Sequence, residues 1–273
     1  MTVASVNAGG DFRVGDVLSR AWHILTGNIL FFLAVPFVIY VITVVGAVIF
    51  VLVFAFVGWA SNTVGVIVVG AALAVILVLS LNMIGQGLML LGAFQRLRGQ
   101  PLRVGEAVRR VLARFVPLVL LGIVWTLALF IVTAISVAVL AGLGSLSVVA
   151  AVVLSPAFLV PTITLLVMWS VVAPACIVEG LGPIASMFRS TDLTKGHRWK
   201  VFGIVFLLIV LALVGPILQM ILAPISEGLA TLVGTICFVA WSAYWNCVII
   251  MTYHDLRVAK EGIDTEQIAA IFD

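Results

Sequence analysis

Long apolar runs alternate with short polar segments along the whole chain. Six runs contain no Asp, Glu, Lys or Arg: 29–57, 64–92, 116–140, 148–178, 201–222 and 228–252. A helix crosses the roughly 30 Å hydrocarbon core of a bilayer in about 20 residues. None of the runs shows the two-residue alternation of a barrel strand. The pattern therefore predicts an all-α integral membrane protein, with six transmembrane helices forming a single domain over 1–273.

Composition excludes a water-soluble protein. Hydrophobic residues make up 64% of the chain and charged residues 9%, and the mean hydropathy is +1.35. Soluble domains carry about 25% charged residues. The three cysteines show no CxxC pair or disulfide framework. Because residues 1–20 lack a basic start followed by an apolar run, we expect no cleaved signal peptide.

The basic residues predict the orientation. All 14 Lys and Arg lie before the first run, between the second and third, between the fourth and fifth, or after the sixth. The other three connections, at 58–63, 142–147 and 223–227, carry no basic residue. By the positive-inside rule, both termini and both basic loops are cytoplasmic, which requires an even number of crossings. The six helices then form three hairpins.

A similar polar segment precedes each predicted hairpin. Residues 14–25 and 104–115 both place apolar side chains on one helical face and charged side chains on the other. The segment at 181–193 is less regular, because Gly182 and Pro183 begin it and Thr191 and Asp192 interrupt its apolar stripe. We expect three short amphipathic helices in the cytoplasmic interface, each with its apolar face toward the acyl chains. Either a threefold repeat or convergence explains the similarity.

Three cytoplasmic motifs carry a resemblance to a known family: FRVGDVLSRAWHILTGNILFF, EGLGPIASMFRSTDLTKGHRWKVFGI and YHDLRVAKEGID. They resemble bacterial six-helix membrane proteins related to the glycerophosphoryl diester phosphodiesterase membrane domain and the YciC-like uncharacterised family. The matching positions are Arg189, Ser190, Leu193, Thr194, Gly196, Trp199, Tyr253, Asp255, Leu256, Arg257, Glu261 and Gly262.

The resemblance implies a six-helix fold in the bacterial inner (cytoplasmic) membrane, and for many members no settled activity. Where the domain is fused to a phosphodiesterase, catalysis resides in a separate barrel domain. These 273 residues contain no such barrel, so the resemblance implies no phosphodiesterase activity for them.

No constellation for catalysis is evident. His23, His197 and His254 lie on separate segments without a carboxylate at metal-ligand spacing, and His254 and Asp255 are expected to point about 100° apart on a helix. The chain has no GxSxG, P-loop or GxGxxG motif. We therefore expect no enzymatic activity, no catalytic or metal-binding residues and no cofactor.

Polar side chains within the apolar runs suggest a second hypothesis, a transporter or channel for a small neutral or amphiphilic molecule. Such groups either line a polar cavity or form hydrogen bonds between helices. Broken helices at Pro156, Pro161 and Pro216 would suit a pathway. The intramembrane polar residues are Asn82, Gln86, Gln219 and Asn246.

The basic segments favour a non-enzymatic protein that interacts with lipids or with a membrane-protein partner, including as an accessory subunit of a larger complex. Anionic headgroups attract basic residues near the membrane surface. A nucleic-acid partner is not expected, since the basic residues are spread over four segments rather than one domain. The predicted contact residues are Arg96, Arg98, Arg109, Arg110, Arg114, Lys195, Arg198 and Lys200.

Overall fold

The computed structural model describes residues 12–61, 64–97 and 104–262, without the side chains of 54–61, 64–73, 75–77, 80, 96–97, 146 and 150–151. The described residues form helices and no strand. The helices are α1 (Val14–Gly27), α2 (Ile29–Ser61), α3 (Val64–Leu97), α4 (Val104–Ala113), α5 (Phe115–Leu146), α6 (Val148–Met168), α7 (Val172–Val178), α8 (Pro183–Thr194), α9 (Arg198–Ala212), α10 (Val214–Leu222) and α11 (Glu227–Glu261).

Five helical segments among the described residues are long and apolar enough to cross a membrane: Ile29–Val53, Phe115–Ser145, Val152–Val178, Arg198–Leu222 and Glu227–Glu261. They coincide with the first, third, fourth, fifth and sixth predicted spans, as expected of a multi-pass membrane protein. The second predicted span, 64–92, falls on the 34-residue helix α3. Side chains 64–73 of that helix lie outside the described residues, so six crossings stay a prediction.

Three pairs of chain neighbours pack together, α2 on α3, α5 on α6 and α10 on α11, and α11 also packs extensively on α1. Many of their side chains face outward. In the most apolar part of Ile29–Val53, only 6% of residues are buried inside the protein. An apolar surface of this extent suits a bilayer, where lipid tails replace a protein core.

Short helices form at all three predicted amphipathic segments, as α1, α4 and α8, but their apolar faces differ from the expectation. In α1, Val17, Ala21 and Leu25 are buried in a core that includes residues of α11, rather than facing acyl chains. In α4, Ala107 and Val111 are buried while Val108 and Leu112 are exposed. Either a neighbouring helix or lipid can cover an apolar stripe. An amphipathic sequence alone therefore does not predict whether its apolar face contacts protein or lipid.

Helix α8 reverses the usual pattern. Its buried face contains the polar side chains Ser186, Ser190 and Thr194, whereas Ile184 and Phe188 are 62% and 72% exposed. The three hydroxyl groups donate to backbone carbonyls, which removes the cost of burying them.

Two helix breaks occur at places only partly expected. Pro156 and Pro161 lie inside the continuous helix α6, so the broken helix that would suit a transport pathway is not found at these two prolines. The chain instead breaks at 169–171, before Pro174 of α7, and at Leu213, before Pro216 of α10. A proline removes the hydrogen bond to the carbonyl four residues earlier, so Ser170 and Ala212 each lose a helical donor.

Candidate functional site

The last helix continues nine residues beyond the predicted end of the sixth span, at 252, and ends at Glu261. Tyr253, Arg257 and Glu261 therefore follow one another at four-residue intervals on one helical face. Gly262 ends the helix with φ +61°, a left-handed cap that glycine adopts without strain. The extension therefore brings Tyr253 and Arg257 next to α8.

Five side chains form an ion-pair network between α7, α8 and α11, here called the α8–α11 network: Glu179, Arg189, Tyr253, Arg257 and Glu261. Arg189 donates from Nε to Glu179 Oε2 at 2.7 Å and also pairs with Glu261. Arg257 donates from Nε to Glu261 Oε2 at 3.0 Å, and its Nε lies 3.9 Å from Glu179 Oε1. Tyr253 donates from its hydroxyl to Glu179 Oε1 at 2.9 Å. Two guanidinium groups thus neutralise two carboxylates.

Burial makes these pairs stronger than ordinary surface ion pairs. The side chains of Arg257 and Glu179 are 7% and 15% exposed, and that of Arg189 is 24% exposed. Burial by itself lowers the pKa of Arg189, but the hydrogen bonds and charges of Glu179 and Glu261 more than offset it and hold the pKa above its ordinary value.

One nitrogen of the network lacks a partner. Arg257 Nη1 is buried and donates a hydrogen bond to no group in the part of the chain that the structure describes. The guanidinium also lies 5.9 Å from the ring centroid of Tyr253, within cation–π range. This buried donor therefore carries a desolvation cost that no hydrogen bond to the described residues compensates.

Further pairs join the surrounding elements. Arg20 of α1 pairs with Asp255, and His254 Nδ1 lies 3.1 Å from Asp255 Oδ1. Neighbouring positions on a helix point about 100° apart, yet the side chains of His254 and Asp255 are long enough to come within hydrogen-bond distance. Lys260 pairs with Asp192 at the end of α8.

The predicted contact residues separate into two groups. Arg109, Arg110, Lys195 and Arg198 are exposed. Arg114 is half-buried and donates from Nη1 to the carbonyl of Gly180 at 2.5 Å, and Lys200 is half-buried with a partner of its own. The side chain of Arg96 and the whole of Arg98 lie outside the described residues.

The intramembrane polar residues are divided as well. Gln86 and Asn246 line one small cavity with Pro174, beside the break between α6 and α7. Asn82 is exposed and donates to the Val78 carbonyl of its own helix, and Gln219 is exposed and rests against Gly234. The cavity offers about 10 Å³, roughly what one water needs. It gives no support to a substrate pathway.

Among residues 12–61, 64–97 and 104–262, no three His, Cys, Asp or Glu side chains lie close enough to hold a metal ion. The sequence predicts no site role for Glu179 or Glu261. The four-residue spacing of Arg257 and Glu261 was the available signal for one of them. For Glu179, the only available signal was its place as the first residue of the second cytoplasmic motif, EGLGPIASMFRSTDLTKGHRWKVFGI.

Comparisons with family models, with curated proteins and with solved structures found no match.

Proposed function

We propose that this chain is a non-enzymatic, multi-pass protein of the bacterial inner membrane that binds anionic phospholipid headgroups at its basic face. The proposal includes six crossings, with Val64–Leu97 as the second, three hairpins and both termini in the cytoplasm. The charge asymmetry of the loops supports this orientation. The resemblance of the three cytoplasmic motifs supports the family and the membrane.

The observation that carries the proposal is the division of the basic side chains. Arg20, Arg189, Arg257 and Lys260 pair with carboxylates of the protein. A second set remains exposed on α4 and around the turn between α8 and α9: Arg109, Arg110, Lys195 and Arg198. The internal pairs give rigidity, and the exposed set supplies positive charge for a ligand outside the protein.

Large exposed apolar side chains accompany this second set. Leu112 follows Arg109 and Arg110 on α4 and is 53% exposed, and Trp199 follows Arg198 and is 85% exposed. Basic groups beside exposed apolar groups suit a bilayer interface, where headgroups lie above acyl chains. Trp is typical of that interface.

Native mass spectrometry of the purified full chain tests the proposal, with phosphatidylglycerol and phosphatidylcholine added at equal concentration. We expect more phosphatidylglycerol adducts than phosphatidylcholine adducts. Each basic residue near an anionic surface contributes about 1 kcal/mol. A variant with all four exposed residues changed to Gln should therefore lose most of the preference.

The matched control exchanges the same residues without loss of charge, as Arg109→Lys, Arg110→Lys, Lys195→Arg and Arg198→Lys. This variant should keep the preference, because the attraction depends on charge. Equal binding of both lipids by the unaltered chain would overturn the proposal. So would a Gln variant with undiminished preference, or a co-purified membrane protein whose removal exposes the four residues.

A further inference from the structure

The chain holds α8 at the membrane boundary. One candidate membrane-crossing segment ends at Val178 and the next begins at Arg198, so in the membrane arrangement proposed above their connection starts and finishes at the same face. Helix α8 is joined to them by the short links 179–182 and 195–197. Each residue of a link reaches about 3.6 Å at most. The three-residue link therefore keeps the end of helix α8 within about 11 Å of the membrane surface.

The contacts of α8 show which of its faces packs against the rest of the protein. Ser190 Oγ donates at 2.8 Å to the Met168 carbonyl, at the end of α6. Met187 and Leu193 are buried on the same side. Arg189 and Asp192 connect the helix to α11 through Glu261 and Lys260. These contacts fix the rotation of α8, and they leave Ile184 and Phe188 outside.

Ile184 and Phe188 are one helical turn apart, so they form a single outward apolar face. Lys195 continues this face toward the α8–α9 turn, where Arg198 and Trp199 are exposed. At the boundary of the bilayer, such a face meets acyl chains, while basic groups extend to the headgroups.

We propose that α8 is an interfacial membrane helix whose side chains Ile184 and Phe188 insert among the lipid acyl chains, with Lys195 and Arg198 at headgroup level. The occupant of this exposed face is the bilayer in which the chain is embedded. The proposal rests on the membrane arrangement proposed above and is independent of any preference for anionic lipid.

Spin labelling of the full chain in nanodiscs of neutral phosphatidylcholine tests the insertion. A nitroxide is attached at Ile184→Cys or Phe188→Cys, and its collisions with oxygen and with a water-soluble nickel chelate are measured. Phe206→Cys, on the exposed apolar face of α9, is the lipid reference, and Ser19→Cys, on the exposed polar face of α1, is the water reference. The unaltered chain gives the background from Cys176, Cys237 and Cys247.

We expect the oxygen-to-nickel collision ratio at 184 and 188 to exceed that at Ser19 several-fold and to approach that at Phe206. A ratio at 188 equal to that at Ser19 would overturn the proposal by showing a water-facing helix. An immobilised label that excludes both reagents would also overturn it, because a protein would then cover the face. Since both side chains are exposed, the substitutions should leave the thermal unfolding midpoint unchanged, which checks the fold. A failed headgroup preference would not alter this result, since no anionic lipid is present.

Discussion

The hydroxyl of Tyr253 donates a hydrogen bond of 2.9 Å to the carboxylate of Glu179, although the two residues are 74 positions apart in the chain. The same carboxylate accepts from Arg189, so one acidic group connects the end of α7 to both α8 and α11. This connection lies where the chain passes from the fourth predicted span to the fifth. The network thus connects α11, the last helix, to α8 and to the end of α7.

Replacing Tyr253 with Phe removes only the hydroxyl group. A hydrogen bond to a charged group contributes about 1.5–3 kcal/mol, and Glu179 keeps its bond with Arg189, so we expect a loss near the lower end of that range. The thermal unfolding midpoint of the detergent-solubilised chain should fall. In the control Tyr40→Phe, the lost contact with Thr235 is 3.5 Å long, and the midpoint should hardly change. Equal midpoints for both variants would contradict the role of Tyr253.

Replacing Arg257 with Met removes a buried cation that lies near two carboxylates. Because it leaves buried charge uncompensated, we expect a loss of about 3–5 kcal/mol in the free energy of unfolding. The exposed Arg110 provides the control, since Arg110→Met should change stability by less than about 0.5 kcal/mol. Chemical unfolding followed by circular dichroism measures both. An Arg257→Met protein of unchanged stability would show that Arg257 contributes nothing to the stability of the fold.

Ser190→Ala tests the break between α6 and α7. The partly buried Met168 carbonyl would lose the donor from Ser190, and the loss of a hydrogen bond costs about 0.5–1.5 kcal/mol. Ser145 bonds the Gly142 carbonyl from an exposed position, so Ser145→Ala should have little effect. The comparison uses the unfolding midpoints of the two variants, and a larger loss for Ser145→Ala is the result that would refute it.

Two glycines should respond to alanine with opposite signs. A Cβ at Gly87 would lie 2.9 Å from Val111 and 3.3 Å from Ile177, so it would force α3 away from α4 and α7. Overpacking of this kind costs about 1–3 kcal/mol. A Cβ at Gly105 of α4 would meet none of the described residues within 4 Å, and there alanine should stabilise the helix by about 0.5–1 kcal/mol. Thermal unfolding distinguishes the two, and destabilisation by Gly105→Ala would contradict the packing described.

The orientation proposed for the chain predicts the location of reporter fusions. Green fluorescent protein should fluoresce at either terminus, because both are placed in the cytoplasm. Alkaline phosphatase, which folds only outside the cytoplasm, should be active when inserted at 142–147 and inactive when inserted at 104–113. Active phosphatase at the C-terminus together with a fluorescent N-terminal fusion would indicate an odd number of crossings and exclude six.

Five of the predicted spans and the three short helices could be read from the sequence because hydropathy and periodicity are local properties of a segment. The faces of the short helices could not be read in the same way. Val17 and Ala21 of α1 meet other helices rather than lipid, and Ser186 and Ser190 of α8 are buried because backbone carbonyls accept from them. The sequence of one segment does not show which other segment packs against it, and that neighbouring segment decides which face of the helix is buried.

Pro156 and Pro161 illustrate the same limit, since both fit inside one helix while the chain breaks before Pro174 and Pro216. By itself, the sequence determined a multi-pass helical protein with its basic residues in four segments, because the cost of placing charge in hydrocarbon acts on each segment alone. Only the tertiary structure decided that Arg189 and Arg257 form ion pairs with Glu179 and Glu261, while Lys195 and Arg198 are exposed. Ion pairing depends on distances of a few ångströms between residues far apart in the chain, and packing alone sets those distances.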